Sequence, residues 1–486
     1  MSETSHAAGI ELTLDGKPVI ALPGETLWQL AKRHGERIPH LCLKDAPGYR
    51  PDGNCRACMV EIEGERTLAA SCLREAAPGM VVKSATSARA CAARAGVMEL
   101  LLADQPARDD SPDRSSHFWR TAEPLQLDAA TTRAALPPRA PDPRARDDSH
   151  PAMRVNLDAC IHCGLCVRAC REVQVNDVIG LAGRGPHARV VFDFGDPMGE
   201  STCVACGECV QACPTGALLP ASLVDRDGRG DSAVADRVVA SVCPYCGVGC
   251  QLSYHVKGDR IVQVEGRDGP SNHNRLCVKG RFGHDYLDHP ARLTRPLVRR
   301  EGVPKALDPA FDPVRPLTHF REASWDEALD LAAGGLLALR DRHGPAALAG
   351  FGSAKCSNEE AWLFQKLVRT GFGSNNVDHC TRLCHASSVA ALMEGIGSGA
   401  VTASFMQVEH ADVAILTGCN PGVNHPVAAT FFKQAAKRGT KLIVLDPRGQ
   451  VLGDHAWRMV RFNPGSDVAL LNALLNVIVT EDLHDP

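Results

Sequence analysis

Two stretches, "CIHCGLCVRAC" and "CVACGECVQACP", repeat the spacing C-x2-C-x2-C-x3-C at Cys160, Cys163, Cys166 and Cys170 and again at Cys203, Cys206, Cys209 and Cys213. Three thiolates so spaced can wrap one iron–sulfur cubane, while the fourth crosses over to ligate the other. One cluster is therefore expected on Cys160, Cys163, Cys166 and Cys213, and a second on Cys203, Cys206, Cys209 and Cys170. Cys42, Cys55, Cys58 and Cys72 follow C-x12-C-x2-C-x13-C in a stretch with nearby glycines, "PDGNCRACMVEIEG". Three converging thiolates plus a distant fourth suit a [2Fe–2S] cluster; a zinc ribbon is the competing use, but the lone C-x2-C lacks a second pair. Cys243, Cys246, Cys250 and Cys277, spaced C-x2-C-x3-C-x26-C, offer four thiolates to a third [4Fe–4S] cluster, again with zinc as the alternative. The five other cysteines, Cys91, Cys356, Cys380, Cys384 and Cys419, are expected to be mostly plain buried thiols.

These ligands need several small scaffolds. A chain of 486 residues is too long for one core. Its 44% hydrophobic and 23% charged content is that of a soluble globular protein, and a net charge of −4 with 5% aromatics gives no basis for nucleic-acid binding. No apolar run reaches membrane-spanning length. "MSETSHAAGIELTLDG" carries neither a secretory nor a twin-arginine signal, so a cytoplasmic location is expected, where 21 cysteines mean metal ligation and not disulfides.

"IELTLDGKPVIAL" reads as a hairpin about Asp15-Gly16, followed by a short helix in "GETLWQLAKRHG" that stops at Gly35. "ARACAARAGVMELLLADQ" is helical by periodicity, and 121–150 read as an Ala/Pro-rich connection. The third cysteine group is placed on short strands such as "RIVQVEG". Beyond about 318 the pattern turns α/β. Ser324 with Glu327 is expected to form a capping box, and "DVAILTG" and "KLIVLD" to be parallel strands joined by a helix from about Pro426 to Arg438, ended by Gly439. The expected fold is thus multidomain α+β and α/β. It comprises a β-grasp [2Fe–2S] ferredoxin domain (8–86), a helical segment and linker (87–152), a bacterial-type 2×[4Fe–4S] ferredoxin domain (153–225), a small β-rich [4Fe–4S] domain (236–295) and a partial α/β dinucleotide-binding molybdopterin domain (296–486).

The first unit resembles the plant-type ferredoxin domain at the head of respiratory complex I's largest peripheral subunit. "CPYCGVGC…CVKGRFG" resembles the opening of the molybdopterin oxidoreductases, especially formate dehydrogenases. In that family the lysine two residues after the last cysteine lies between cluster and pterin, and Lys279 matches it. "TRLCHASSVAALMEGIGSGA" is similar to the segment of cytoplasmic, NAD-linked formate dehydrogenases in which a cysteine, or selenocysteine, ligates molybdenum or tungsten. The resemblance puts Cys384 in that role, gives His385 the substrate proton, and adds Arg382 to the catalytic set. A soft thiolate suits such a metal, and histidine titrates near neutrality. Cys380 is left as structural.

The resemblance also places one arm of a bis-molybdopterin guanine dinucleotide on Gly418, Asn420, Pro421, His425, Asp446, Pro447 and Arg448, with Gly465 and Asp467 of "NPGSD" as a further loop. It implies formate oxidation to carbon dioxide, with electrons passing via Lys279 through one [4Fe–4S], two more cubanes and the [2Fe–2S] centre to a flavin- and NAD-binding iron–sulfur subunit. A small [2Fe–2S] subunit is an optional further partner. Two departures stand out: no cysteine lies between Cys91 and Cys160, where many relatives hold a further cluster, and the family continues well beyond "VIVTEDLHDP". A second chain or a further C-terminal region is therefore expected to complete the pterin site. The competing expectations are a non-catalytic electron-transfer subunit of a complex I-like or hydrogenase assembly, or another superfamily substrate such as nitrate.

Overall fold

The computed structural model describes residues 9–127, 132, 144–305 and 311–485. The expectations for residues 1–8 and for most of the Ala/Pro-rich connection (128–131 and 133–143) lie outside it. The chain forms two compact units, one of residues 1–284 with 406–486, the other of 285–405, a division that cuts across the expected 296–486 segment.

In the first unit, Ile10–Leu14 and Lys17–Ala21 pair antiparallel about a turn in which Asp15 and Gly16 take φ of 46° and 81°. Both central residues of this tight turn need positive φ, which glycine and aspartate tolerate best. Asp15 also accepts hydrogen bonds from the amides of Ser84 (2.7 Å), Thr86 (3.1 Å) and Ala85 (3.2 Å), locking the turn to the end of Val81–Lys83. Burial works to raise its pKa, but the Thr86 hydroxyl, donating at 2.6 Å, and then these amide bonds outweigh burial and hold it low. Val81–Lys83 runs parallel to Ile10–Leu14 at the centre of a five-stranded sheet completed by Met59–Ile62 and Ala69–Ala70. The helix Leu27–Arg33 is opened by a Thr26/Gln29 capping box and buries Leu27, Trp28, Leu30 and Ala31. Helices Ala88–Ala103 and His117–Ala122 bury Met98, Leu102, Phe118 and Trp119 against Leu41 and Ala57, beside the first cysteine loops.

The internal repeat reappears as two matching turns. His162 and Ala205 have φ of 52° and 55°, and Gly164 and Gly207, two residues on, have φ of 73° and 66°. This left-handed backbone turns the amides of His162 and Ala205 toward Cys160 Sγ and Cys203 Sγ, each at 3.4 Å, and each glycine opens a short helix, Leu165–Arg168 or Glu208–Ala212. The third cysteine group sits on turns and not within strands. Cys243, Cys246 and Cys250 occupy the loop between Arg237–Val242 and Gln251–Lys257, while Cys277 caps the helix Val278–Phe282. A turn frees amides for sulfur that a paired strand would spend on its ladder.

Val413–Thr417, Lys441–Leu445 and Arg458–Val460 form a parallel sheet. The helix Pro426–Arg438 links the first two and ends at Gly439 with φ 119°. It also reaches the repeat: Gln434 Nε2 donates to the carbonyls of Glu172 (2.7 Å) and Val173 (3.2 Å), and Lys437 Nζ bonds Asp177 (3.1 Å). This docking puts 406–486 in the first unit.

The second unit holds the helices Trp325–His343, Asn358–Lys366 and Ala386–Ile396, none with a buried residue, and the parallel pair Gly350–Gly352 and Val377–His379. At Ser324 only half of the expected box forms. The hydroxyl accepts from Glu327 N, but the Glu327 carboxylate pairs with Arg321, whose charge attracts it more strongly than a neutral amide.

Candidate redox centres

In the first group the thiols lie close together. Cys42, Cys58 and Cys72 are buried and Cys55 half-buried; Cys58 Sγ and Cys72 Sγ stand 3.4 Å apart. The amide of Cys55 donates to Cys42 Sγ (3.5 Å) and that of Cys42 to Cys55 Sγ (3.4 Å). Burial pushes Cys166 well up, followed by the charges of Cys163, Cys160 and Cys213. Cys209 is raised in the same way, by burial and then by Cys206, Cys203, Cys170 and Cys166. Each set includes the distant cysteine of the expected crossover, Cys213 beside Cys166 and Cys170 beside Cys209. Burial likewise lifts Cys206 to about 12, and Cys250 to about 12 with help from Cys243, Cys246 and Cys277. Among the described residues, no three His, Cys, Asp or Glu side chains gather about one point as a single ion requires. Four buried thiols that lose their protons need compensating positive charge, which iron supplies. The donor sets fit iron–sulfur cages, which these cysteines would hold.

The quartets are stitched together by polar side chains. Arg168, 3% exposed, pairs with Asp52 and donates to the Cys42 carbonyl at 2.6 Å. Asn54 Nδ2 donates to the Cys163 carbonyl at 3.2 Å, so the first cysteine loop lies on the repeat. Arg281 Nε donates to the Cys206 carbonyl at 2.7 Å, and the Arg281–Glu208 ion pair is 3.2 Å long with side chains 3% and 1% exposed. Tyr49 Oη donates to the same carboxylate at 2.9 Å, and burial, with the Glu208 charge next, raises its pKa well above the usual. One position before Arg281, Gly280 lies so close to the third group that a Cβ would stand 3.3 Å from Cys243 Sγ. Lys279 is half-buried in that helix, and its charge favours the Cys243 thiolate against burial, which raises the thiol. Arg168, Glu208, Arg281 and Tyr49 escaped the sequence reading. The signal was a charged residue inside each cysteine motif, as in "CGECV" and "CVKGRFG".

The loops at the carboxyl ends of the parallel strands carry the expected pterin residues. Gly418 has φ 61°, and Pro421 opens the turn Pro421–Asn424. Asp446, 5% exposed, accepts from Arg448 N (2.8 Å) and Gln450 Nε2 (3.2 Å). Pro447 and Arg448 are exposed, as are Gly465, with φ 86°, and Asp467, which begins Asp467–Thr480. His425 opens the Pro426 helix, its Nε2 3.9 Å from where a Gly247 Cβ would lie, so the expected pterin loop meets the third cysteine loop. Asn420 Oδ1 and Gln450 Oε1 are buried without a hydrogen-bond partner. Two orphaned acceptors at the mouth of a parallel sheet fit a ligand rich in N–H and O–H donors, as a guanosine is.

Cys384 ends the helix Thr381–Cys384 in the second unit, and His385 follows it. Both are exposed. Arg382 Nε pairs with Asp378 at 2.9 Å, which holds that carboxyl low. Asp378 also lines a cleft with Phe351, Cys356, Phe364 and His379. The expectation of buried leftover thiols fails: Cys380, Cys384 and Cys419 are exposed and Cys91 and Cys356 half-buried, because no element packs over those faces among the described residues. Cys380 is thus no core thiol.

Comparison with known proteins gives these features a family. Residues 7–87 match a 2Fe-2S iron-sulfur cluster binding domain, 159–217 a 4Fe-4S dicluster domain, 236–289 a molybdopterin oxidoreductase Fe4S4 domain and 292–486 a molybdopterin oxidoreductase domain. The chain is 32% identical over 98% of its length to the "Probable oxidoreductase YjgC" of Bacillus subtilis, and 31% identical over 98% to a "Putative formate dehydrogenase" of Staphylococcus aureus (strain USA300). It spans about half (49%) of the length of these curated relatives. Among solved structures, an NAD+-reducing [NiFe]-hydrogenase matches 44% of this chain and 88% of its own at 30% identity, with a TM-score of 0.39 that supports no argument about shape. No helix among the described residues is long and apolar enough to cross a membrane. From the first cysteine loop to the parallel sheet, the chain thus carries a 2Fe-2S domain, a 4Fe-4S dicluster domain and two domains that match the molybdopterin oxidoreductases.

Proposed function

We propose that the chain belongs to the catalytic subunit of an NAD-linked formate dehydrogenase and carries electrons from a molybdenum or tungsten centre through four iron–sulfur clusters. The observation behind this reading is the unbroken run of contacts in the first unit, from Gly280 at Cys243 through Arg281 at Cys206 to Asn54 at Cys163 and Arg168 at Cys42. The names of the relatives supply the substrate.

In this reading the sixteen cysteines hold one [2Fe–2S] and three [4Fe–4S] clusters. Gly418, Asn420, Pro421, His425, Asp446, Pro447, Arg448, Gly465 and Asp467 hold one arm of a bis-molybdopterin guanine dinucleotide. Cys384 ligates the metal, which when bound supplies the two-electron oxidation of formate to carbon dioxide. His385 accepts the proton, and Arg382 adds positive charge where an anionic substrate arrives. Lys279 stands between pterin and cluster. The protein's part is binding, orientation and electrostatics. The route ends at the [2Fe–2S] domain, where a flavin- and NAD-binding iron–sulfur subunit, with or without a small [2Fe–2S] subunit, takes the electrons. Further polypeptide supplies the remaining walls of the cofactor cavity.

The alternative, a non-catalytic electron-transfer subunit, draws on one observation: the four quartets all lie in the first unit and Cys384 in the second. Metal content decides between them. About one molybdenum or tungsten per assembled complex, with formate-dependent viologen reduction, supports the enzyme; full iron with neither metal supports the conduit. The chain alone is expected to load iron and show no formate turnover, and robust turnover without another chain would overturn that expectation.

A further inference from the structure

Among the described lysines one is buried. Lys433, on the Pro426 helix, is 6% exposed. Its ammonium lies within ion-pair distance of no carboxylate among the described residues; the nearby Asp177 is held by Lys437 (3.1 Å) and Arg171 (3.1 Å). Lys433 Nζ donates instead to the Val175 carbonyl and to Asn176 Oδ1, each at 3.2 Å.

That loop is built around a cluster ligand. The amide of Asn176 donates to the Cys170 carbonyl (2.8 Å) and that of Val178 to Cys170 Sγ (3.3 Å), while Asn176 Nδ2 stands 4.0 Å from Cys206 Sγ. Val175 and Asp177 are left-handed, with φ of 54° and 55°. A β-branched residue takes that conformation only under constraint, and the Lys433 bond to the Val175 carbonyl is one such constraint. Burial disfavours the Lys433 charge, and the neighbours that favour it, in order, are Cys206, Asp177 and Cys170.

A buried ammonium without a carboxylate is costly unless another anion faces it. A four-thiolate [4Fe–4S] cluster is such an anion, and it gains one more negative charge when it takes an electron. We propose that Lys433 is a positioning residue that raises the one-electron potential of the cluster on Cys170, Cys203, Cys206 and Cys209. One electron enters, no covalent bond changes and no proton need follow, because the charge that balances the electron is already in place. Lys433 lies two turns along the helix from His425, so the helix that opens at the proposed pterin loop also acts on a cubane further along the route. The inference rests on the cluster assignment proposed above.

The test is potentiometric. The full chain, assembled anaerobically as wild type, Lys433→Met, Lys433→Gln and Lys433→Arg, is titrated with dithionite while the [4Fe–4S] signals are followed by electron paramagnetic resonance. Both neutral variants are expected to lower the reduced-to-oxidised ratio of one cubane at least tenfold at fixed solution potential, a 59 mV shift for a one-electron couple. The other two cubanes should not move, and Lys433→Arg should stay within threefold of wild type. Unchanged ratios with full iron content overturn the proposal, as does loss of that cluster in both neutral variants, which would give the lysine a structural role. A wild-type chain without three cubanes would instead sink the cluster assignment itself.

Discussion

At the scale of single residues, spacing grouped the cysteines and left their electrostatic company hidden. Cysteines three residues apart declare themselves in one motif, whereas Arg281 and Glu208 lie 73 residues apart and meet only in the folded chain. Removing one member of a buried pair leaves the other uncompensated, at a cost of about 3–5 kcal/mol, while replacing both with apolar residues of similar size is often neutral. Arg281→Met is therefore expected to destabilise the chain by about that much, measured by denaturant unfolding followed through cluster absorbance. The Arg281→Met/Glu208→Leu double variant should recover most of the loss. A double variant worse than the single would show that the cost came from packing. At Cys384 the prediction is chemical: in the assembled complex Cys384→Ala should abolish formate oxidation and leave the iron count unchanged, and retained turnover would remove the thiolate from the metal's ligands.

Elements were legible where glycine and proline punctuate them. The helix Pro426–Arg438 could be bounded from Pro426 and Gly439, as could the hairpin from Asp15-Gly16, because those residues fix local backbone geometry. Which face a helix buries, and against what, is not local, and no spacing in the sequence marks Lys433 as buried. The repeat offers a controlled comparison at this scale. Gly164 and Gly207 occupy the same position with φ of 73° and 66°, so alanine pays the same left-handed penalty of about 1–2 kcal/mol at each. Their surroundings differ. A Cβ at 164 would meet Arg168 Nη1 at 3.4 Å, an ordinary contact, whereas one at 207 would lie 2.1 Å from Arg281 Cδ and 2.9 Å from Phe282 Cζ. Gly207→Ala should therefore displace Arg281 and cost occupancy of the Cys203 cluster, while Gly164→Ala retains the Cys160 cluster. Iron content and resonance signals of the two variants check this; equal losses would mean that backbone strain alone decides.

For the whole molecule, the order of its modules could be read from the sequence, while their joints came only from the structure. Helices Trp325–His343 and Asp467–Thr480 expose Leu329, Leu336, Leu471, Leu474 and Ile478. One joint between modules has a pH dependence of its own. Helix His117–Ala122 links the first cysteine loop to the repeat, since His117 Nε2 stands 2.6 Å from the His40 carbonyl and Phe118 N donates to the Pro214 carbonyl at 2.8 Å. Burial, followed by the charge of His40, lowers His117 to about 4 from the 6.5 of a free imidazole, so the folded chain holds it neutral. Below pH 6.5 the unfolded chain binds a proton that the folded chain refuses, and stability falls with pH down to about 4, by a total of roughly 3 kcal/mol. Above pH 7 the group contributes no slope. His117→Gln, which cannot titrate, should flatten this part of the stability profile between pH 6.5 and 4, measured by denaturant unfolding of the cluster-loaded chain at fixed ionic strength. Carboxylates held low, such as Asp177, lose their contribution at lower pH and leave the difference between variants untouched. Parallel profiles for wild type and His117→Gln would place the acid sensitivity elsewhere than this joint.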